Sequence, residues 1–281
     1  MSSSTTAEPI ELGNGVLMPR LGLGTARVGD AEIRRIVGTA IDLGYRLIDT
    51  AAKYENEVGV GQGIADSGIA RNDLFVTTKL RGRDQGFATT KVALEASLDR
   101  LGLDHVDLFL IHWPLPRLDR YVDSWLAMKQ LQAEGLTRAI GVSNFLPAHL
   151  DRLAADTGTV PAVNQIELHP QLPQREQIAD DERRGIVTQS WSPLANAGAL
   201  LKDPVLAEIA DRHGRSPVQV ILAWHLRQGL SVIPKASSED RLRANLDVFD
   251  LELSPEDLAG IAGLEVGVRV GGQDPSSHEE F

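Results

Sequence analysis

Asp49, Tyr54, Lys79 and His112 differ in chemistry but share a position: each lies at or just beyond the end of a short apolar run. Asp49 follows Leu47-Ile48, and Tyr54 comes five residues later; Lys79 follows the run 74–78, and His112 follows the run 106–111. Other runs end in the same way. Ser143 and Asn144 follow 139–142, Gln165 follows Val163-Asn164, Trp191 follows 186–190, and Lys235 follows Ile233-Pro234. Taken singly, each has an ordinary explanation: the aspartate as a turn cap, the lysine as a solvated charge, the histidine as a bonded structural residue, the tyrosine as packing. If the runs are neighbouring strands of one sheet, however, a carboxylate, an ammonium, an imidazole and a phenol share a single rim. Groups able to hold and exchange protons would then converge on one site.

The runs themselves say what must position that rim. Eight β-rich apolar segments, at 21–23, 47–48, 74–78, 106–111, 139–142, 163–166, 186–190 and 231–233, are apolar nearly throughout rather than alternating. That is the pattern of parallel strands covered on both faces. Between them, one-sided stripes at helical spacing recur: Ile33, Val37, Ala40 and Ile41; Leu94, Leu98 and Leu101; Val122, Trp125, Leu126 and Leu131; Leu206, Ile209 and Ala210. Eight strand–helix units with no break in composition predict a single α/β domain over residues 1–281, a closed (β/α)8 TIM barrel with its chemistry at the C-terminal strand ends. The widest interval, from Ile186 to Ser231, leaves room for an extra helix. Asn14-Gly15 between apolar residues predicts a β-hairpin ahead of the barrel, plugging its N-terminal mouth. Residues 1–9 are expected to be flexible, and the glycine-rich stretch 263–281 to run as a loop over the active-site end.

Composition removes several functions. A net charge of −11 disfavours nucleic acid and anionic membrane as partners. The absence of cysteine excludes disulfide scaffolds, iron–sulfur centres and thiolate zinc sites, and it suits a reducing cytoplasm. No secretory signal and no membrane-spanning run is visible. The seven histidines contain no His-x-His pair and no His-Glu-x-x-His, which argues against a metal-dependent barrel hydrolase and for no metal site. Gly22-Leu23-Gly24 lacks the third glycine of a dinucleotide fingerprint, and Gly59-Val60-Gly61-Gln62-Gly63 falls on a predicted helix; neither meets the strand–turn–helix context.

From the hairpin to the tail the chain resembles the aldo-keto reductases, and in its short connections after His112 and Trp191 it is similar to their small bacterial members. The matching stretches are Gly22-Leu23-Gly24-Thr25, Leu47-Ile48-Asp49-Thr50-Ala51 with Tyr54, Thr77-Thr78-Lys79-Leu80, and Val106 through Pro114 around His112-Trp113. Ala139 through Phe145, Asn164-Gln165-Ile166-Glu167, Ser192-Pro193-Leu194 and Ile233-Pro234-Lys235 complete the set. The resemblance implies an NADPH-dependent oxidoreductase that reduces aldehydes and ketones to alcohols. Asp49, Tyr54, Lys79 and His112 would be its catalytic residues. Tyr54 would be the general acid, with its pKa lowered from about 10 by Lys79, which Asp49 holds in place. His112 would orient the carbonyl oxygen.

The resemblance also implies the cofactor site. Ser143, Asn144 and Gln165 would hydrogen-bond the nicotinamide carboxamide, with Trp191 stacked on the ring where relatives more often carry tyrosine; Thr25 and Ser237 would also bind the cofactor. Ser192, Pro193 and Leu194 would line the pyrophosphate. Lys235, Ser238 and Arg241 would surround the 2′-phosphate that distinguishes NADPH from NADH, and Asn245 would sit near the adenine. Ala236 and Ala244 replace a hydroxyl and a carboxylate found in many members, which would weaken the cofactor's hold. Trp113 and Ala26 would line the substrate pocket, Ala26 standing where many members carry a large aromatic. The tail, including Val266, Arg269 and Phe281, would reach the mouth. The expected partner is a small carbonyl substrate, and the expected state a cytoplasmic monomer. A nucleotide-sensing subunit without catalysis is the rival that the intact set of four argues against.

Overall fold

The computed structural model describes residues 8–13 and 15–280. It begins with an antiparallel hairpin of β1 (Ile10–Glu11) and β2 (Leu17–Met18), with Ile10 opposite Met18. The turn is longer than the two residues expected. Leu12 N–H donates to Val16 O and Gly15 N–H donates back to Leu12 O, both at 2.8 Å. That leaves 13–15 as a three-residue loop with Gly15 at φ +79°, the left-handed position such a loop needs. Asn14 lies outside the described residues. Leu12, Val16 and Met18 pack with Leu47, Phe75, Leu108, Leu110, Ala139 and Val163, so the hairpin closes the barrel floor as predicted.

Eight parallel strands follow: β3 (Leu23–Gly24), β4 (Leu47–Asp49), β5 (Phe75–Leu80), β6 (Val106–Ile111), β7 (Thr137–Ser143), β8 (Val163–Glu167), β9 (Val187–Trp191) and β10 (Ser231–Val232). They lie side by side in chain order. The sheet closes where Leu21 bridges Val232, with Gly22 N–H on Val232 O at 2.9 Å and Gly24 N–H on Pro234 O at 3.1 Å. The seam is tight: a Cβ on Gly24 would stand 2.8 Å from Ile233 O. Several strand bounds differ from the sequence reading. Leu21 belongs to the closing bridge rather than to β3; Asp49, Ser143 and Trp191 are the last residues of β4, β7 and β9 instead of the first beyond them; and Lys79 lies inside β5, one residue before its end.

The outer layer is α1 (Asp30–Leu43), α2 (Glu57–Ser67), α3 (Phe87–Leu101), α4 (Tyr121–Ala133), α5 (Pro147–Thr157), α6 (Arg175–Arg183), α7 (Pro204–His213), α8 (Pro217–Arg227), α9 (Glu239–Leu246) and α10 (Pro255–Ala262). The predicted stripes fall on α1, α3, α4 and α7, and the wide interval holds both α7 and α8. Helix α8 starts sharply because Ser216 and Gln219 form a reciprocal capping box ahead of Pro217 at the first helical position. The glycine string of α2 has a packing cause. A Cβ would stand 2.3 Å from Asp30 O at Gly59, 2.1 Å from Leu101 O at Gly61, and 2.5 Å from Arg34 O at Gly63. These glycines let α2 press against α1 and the end of α3.

After α10 the described residues form no further helix or strand and fold back over the C-terminal strand ends. Val266 and Gly267 N–H both donate to Gln171 O at 3.0 Å, Val270 N–H donates to Glu167 Oε1 at 2.6 Å, and Gly82 N–H donates to Glu280 Oε2 at 3.0 Å. Among the described residues, no helix is long and apolar enough to cross a membrane, and no cluster of His and carboxylate side chains could hold a metal ion.

Candidate active site

Asp49 ends β4 and Lys79 sits in β5, both buried. Lys79 Nζ donates to Asp49 Oδ1 at 2.5 Å, to Thr50 O at 3.0 Å and to the Tyr54 hydroxyl at 3.4 Å. Tyr54 closes a short 3-10 turn, 52–54, that leaves β4, with its N–H on Ala51 O at 3.0 Å. Asn56 fixes this loop: its side chain accepts from Thr50 Oγ1 and donates to Thr25 O and Val28 O, each at 2.9 Å. The Tyr54 position is therefore braced from two strand ends.

Burial opposes the charge on Lys79, but Asp49 and the Tyr54 hydroxyl together outweigh it, and the lysine pKa rises above its ordinary value. The ammonium is retained. For Tyr54, burial raises the phenol pKa, Lys79 lowers it, and Asp49 raises it; burial prevails and the phenol stands above its ordinary range. This corrects the expectation of a lowered value. Lys79 acts in the expected direction, but the packing around the half-buried phenol removes part of the water that would stabilise a phenolate.

His112 follows β6, with its N–H on Leu80 O at 3.2 Å and its ring edge-on to Tyr54 at 5.8 Å between centroids. The next residue, Trp113, is buried and packs against His278 of the tail, with ring centroids 4.4 Å apart and planes tilted by 60°. Its carbonyl accepts from Gln85 Nε2 at 2.7 Å.

On the opposite wall the polar side chains lock one another. Ser143 Oγ donates to Gln165 O at 2.7 Å, and Asn144 Nδ2 donates to Ser143 Oγ and to His112 O, both at 3.0 Å. Asn144 holds a left-handed backbone, φ +64°, which asparagine tolerates. Trp191 Nε1 donates to Asn144 Oδ1 at 2.9 Å, pinning the indole. Gln165 Nε2 reaches Asp49 Oδ2 at 2.7 Å and Gln189 Oε1 at 2.6 Å. The amide wall and the proton-holding cluster are thus one network, joined through the two oxygens of Asp49.

These groups line a cavity of about 830 Å³. Of the residues singled out in sequence, Ala26, Thr25, Asp49, Tyr54, His112, Trp113, Ser143, Asn144, Gln165, Trp191, Ser192, Pro193, Leu194, Lys235 and Arg241 face it, with Lys79 buried behind Asp49 and Tyr54. Ser237, Ser238 and Asn245 are not in the lining. Asn245 is buried in α9 beside Tyr45. Arg27, Lys53, Asn196, Gln273, His278, Glu279 and Glu280 line the cavity without a motif to announce them. Of the tail residues expected at the mouth, Val266 is exposed, Arg269 points to Gln174 and Glu167, and Phe281 lies outside the described residues.

Residues 20–265 match the model of the Aldo/keto reductase family. An aldo-keto reductase of Mycolicibacterium smegmatis is 49% identical over 262 residues, covering 93% of this chain and 95% of that one. A protein of Pseudomonas putida named morphine 6-dehydrogenase is 46% identical, covering 97% of each. A solved structure of a Gox0644 variant in complex with NADPH superimposes with a TM-score of 0.90 at 41% identity, covering 97% of this chain and 99% of the other. With its closed eight-stranded barrel, hairpin floor and rim of Asp49, Tyr54, Lys79 and His112, the chain belongs to the aldo/keto reductase family.

Proposed function

We propose that this protein is an NADPH-dependent reductase of aldehydes and ketones in which Tyr54 protonates the carbonyl oxygen. The observation that carries this reading is the buried chain from Asp49 through Lys79 to the Tyr54 hydroxyl, opening on a cavity that His112 shares. The high phenol pKa keeps Tyr54 protonated before reaction, and the ammonium beside it stabilises the phenolate as the proton leaves. His112 orients the carbonyl oxygen towards that proton.

The residues present suit the cofactor. Trp191 offers a flat face held by Asn144, Gln165 directs its carbonyl oxygen away from the bonds that occupy its Nε2, and the exposed cations Lys235 and Arg241 sit at the cavity for a phosphate dianion. The dinucleotide, when bound, supplies the hydride. We assign Ser143, Asn144, Gln165 and Trp191 to the nicotinamide, Ser192, Pro193 and Leu194 to the pyrophosphate, and Lys235 and Arg241 to the 2′-phosphate. Run in reverse, the same geometry oxidises an alcohol, with Tyr54 accepting the proton. The cysteine-free composition suits a reducing cytoplasm, where we place the protein as a monomer. Purified protein mixed with NADPH and a panel of aldehydes and ketones should bleach the nicotinamide absorbance. Tight NADPH binding with no oxidation by any carbonyl would leave a cofactor-binding protein and overturn the enzyme.

A further inference from the structure

The tail brings into the active site a second carboxylate that the reductase reading does not use. Glu280 is buried, and its two oxygens face different partners: Oε2 accepts from Gly82 N–H at 3.0 Å, and Oε1 lies 2.9 Å from His112 Nδ1. Gly82 permits the approach, since a Cβ there would stand 2.2 Å from the Glu280 carbonyl oxygen. His112 Nδ1 is closed to solvent; Glu280 Oε1 is at contact distance but off the line of a ring N–H, and no other group takes this nitrogen as a hydrogen-bond partner. Burial works against a charge on Glu280, but His112 and the Gly82 N–H hold the carboxyl below its ordinary range, so it is an anion.

An ionised carboxylate only accepts hydrogen bonds, so the nitrogen facing it must carry the hydrogen. Nε2 is then the ring nitrogen left for the cavity that His112 lines. In a neutral ring with its hydrogen on Nδ1, Nε2 is an acceptor and offers nothing to a carbonyl oxygen. We propose that Glu280 is a positioning residue acting through His112: by claiming the Nδ1 hydrogen, it lets His112 donate to the substrate carbonyl only when the ring carries both protons. The proposal rests on the reductase reading above. The charged and titratable groups around His112 and Glu280 are Tyr54 and Lys53 from the loop after β4, Lys79 from β5, and His278 and Glu279 from the tail.

An isosteric amide separates this role from tail docking. The Gly82 N–H can only donate, so in Glu280→Gln the amide oxygen must turn to Gly82 and the NH2 to His112 Nδ1, which must then accept. The hydrogen moves to Nε2, and the neutral ring becomes a donor. Nitrogen-15 NMR of histidine-labelled protein saturated with NADP+, with His112→Asn to identify the signal, reads the tautomer. The wild type should show the hydrogen on Nδ1 in the neutral ring, and Glu280→Gln should show it on Nε2. In the wild type, kcat/KM for carbonyl reduction should fall as pH rises and His112 loses its second proton, and Glu280→Gln should lack that limb. Below that limb the variant should be slower by about fivefold, the worth of a charged over a neutral donor, and above it the order should reverse. NADPH affinity should stay within about twofold, the range of an interaction not lost. A neutral wild-type ring with its hydrogen on Nε2, or a variant profile parallel to wild type, would overturn the proposal; the first of these needs no variant. Tyr54→Phe assayed alongside keeps the two claims apart. If Tyr54→Phe retains turnover, the general-acid reading fails. If it is inactive while Glu280→Gln matches the wild type in profile and tautomer, only the role of Glu280 fails.

Discussion

At the scale of single residues, the site divides its work between buried groups that are locked and exposed groups that are free to meet a ligand. Asp49, Lys79 and Gln165 spend their polar atoms on one another, whereas Lys235 and Arg241 stay exposed at the cavity. The contrast directs two substitutions. Arg241→Ala should weaken NADPH by roughly 1.5–3 kcal/mol, the worth of a charge-assisted bond to phosphate, and leave NADH almost unchanged. Titration of both cofactors by tryptophan fluorescence checks it, and equal weakening would make Arg241 a structural residue. Ala26 lines the cavity with only a methyl group. Ala26→Trp should therefore cut kcat/KM for bulky aromatic aldehydes by at least about tenfold relative to a small aldehyde, with NADPH affinity unchanged. An unchanged ratio of the two substrates would remove Ala26 from the pocket. His112 was legible in the sequence because a strand end fixes where the next side chain points, and Lys79 because it is a charge set in an apolar run, one residue before the end of β5. The high pKa of Tyr54 was not, because desolvation depends on everything packed around the phenol, and no local pattern reports that sum.

At the scale of elements, packing explains what motif reading left open. The glycines of α2 serve close contact with α1 and α3 rather than a phosphate, as their helical context already suggested. Helix α10 shows how an added helix is held. Asp257 is buried; its Oδ2 accepts from Ser254 N–H and lies 2.9 Å from His213 Nε2, and its Oδ1 accepts from Arg212 at 2.5 Å, tying the start of α10 to the end of α7. Burial opposes this charge, but Arg212, His213 and the Ser254 backbone outweigh it and hold the carboxyl well below the ordinary range. A carboxyl depressed in the folded state contributes stability that is complete above its unfolded pKa and is lost as pH falls through the folded one. Asp257→Asn should therefore lower stability by about 1–3 kcal/mol at neutral pH, with the difference from wild type shrinking below about pH 4. Urea unfolding across that range checks it, and a difference independent of pH would mean that the cost is packing alone. The hairpin was legible as an element, but its loop was one residue longer than the dipeptide signal implied, since register is set by where Leu12 and Val16 meet the barrel floor.

At the scale of the molecule, a chain of net charge −11 must bind an anionic dinucleotide through a local cationic cluster working against its own field. Raising salt screens exposed charges, so NADPH affinity should fall between about 0.05 and 0.5 M salt while NADH, lacking the 2′-phosphate, changes little. Parallel behaviour would place the discrimination elsewhere. The barrel was readable from eight apolar runs because each strand–helix unit is local in sequence. The tail was not, because Glu280 and His278 reach Gly82, His112 and Trp113 from the far end of the chain, and nothing periodic marks them. The barrel sets the proton-holding chain and the tail closes over it, and both converge on the phenol of Tyr54. Single-turnover reduction by Tyr54→Phe saturated with NADPH tests this most directly. Turnover should fall by at least about 10²–10⁴-fold while the NADPH dissociation constant stays near the wild-type value. Retention of more than about a tenth of wild-type turnover would contradict the account, because general acid catalysis is worth more than that factor.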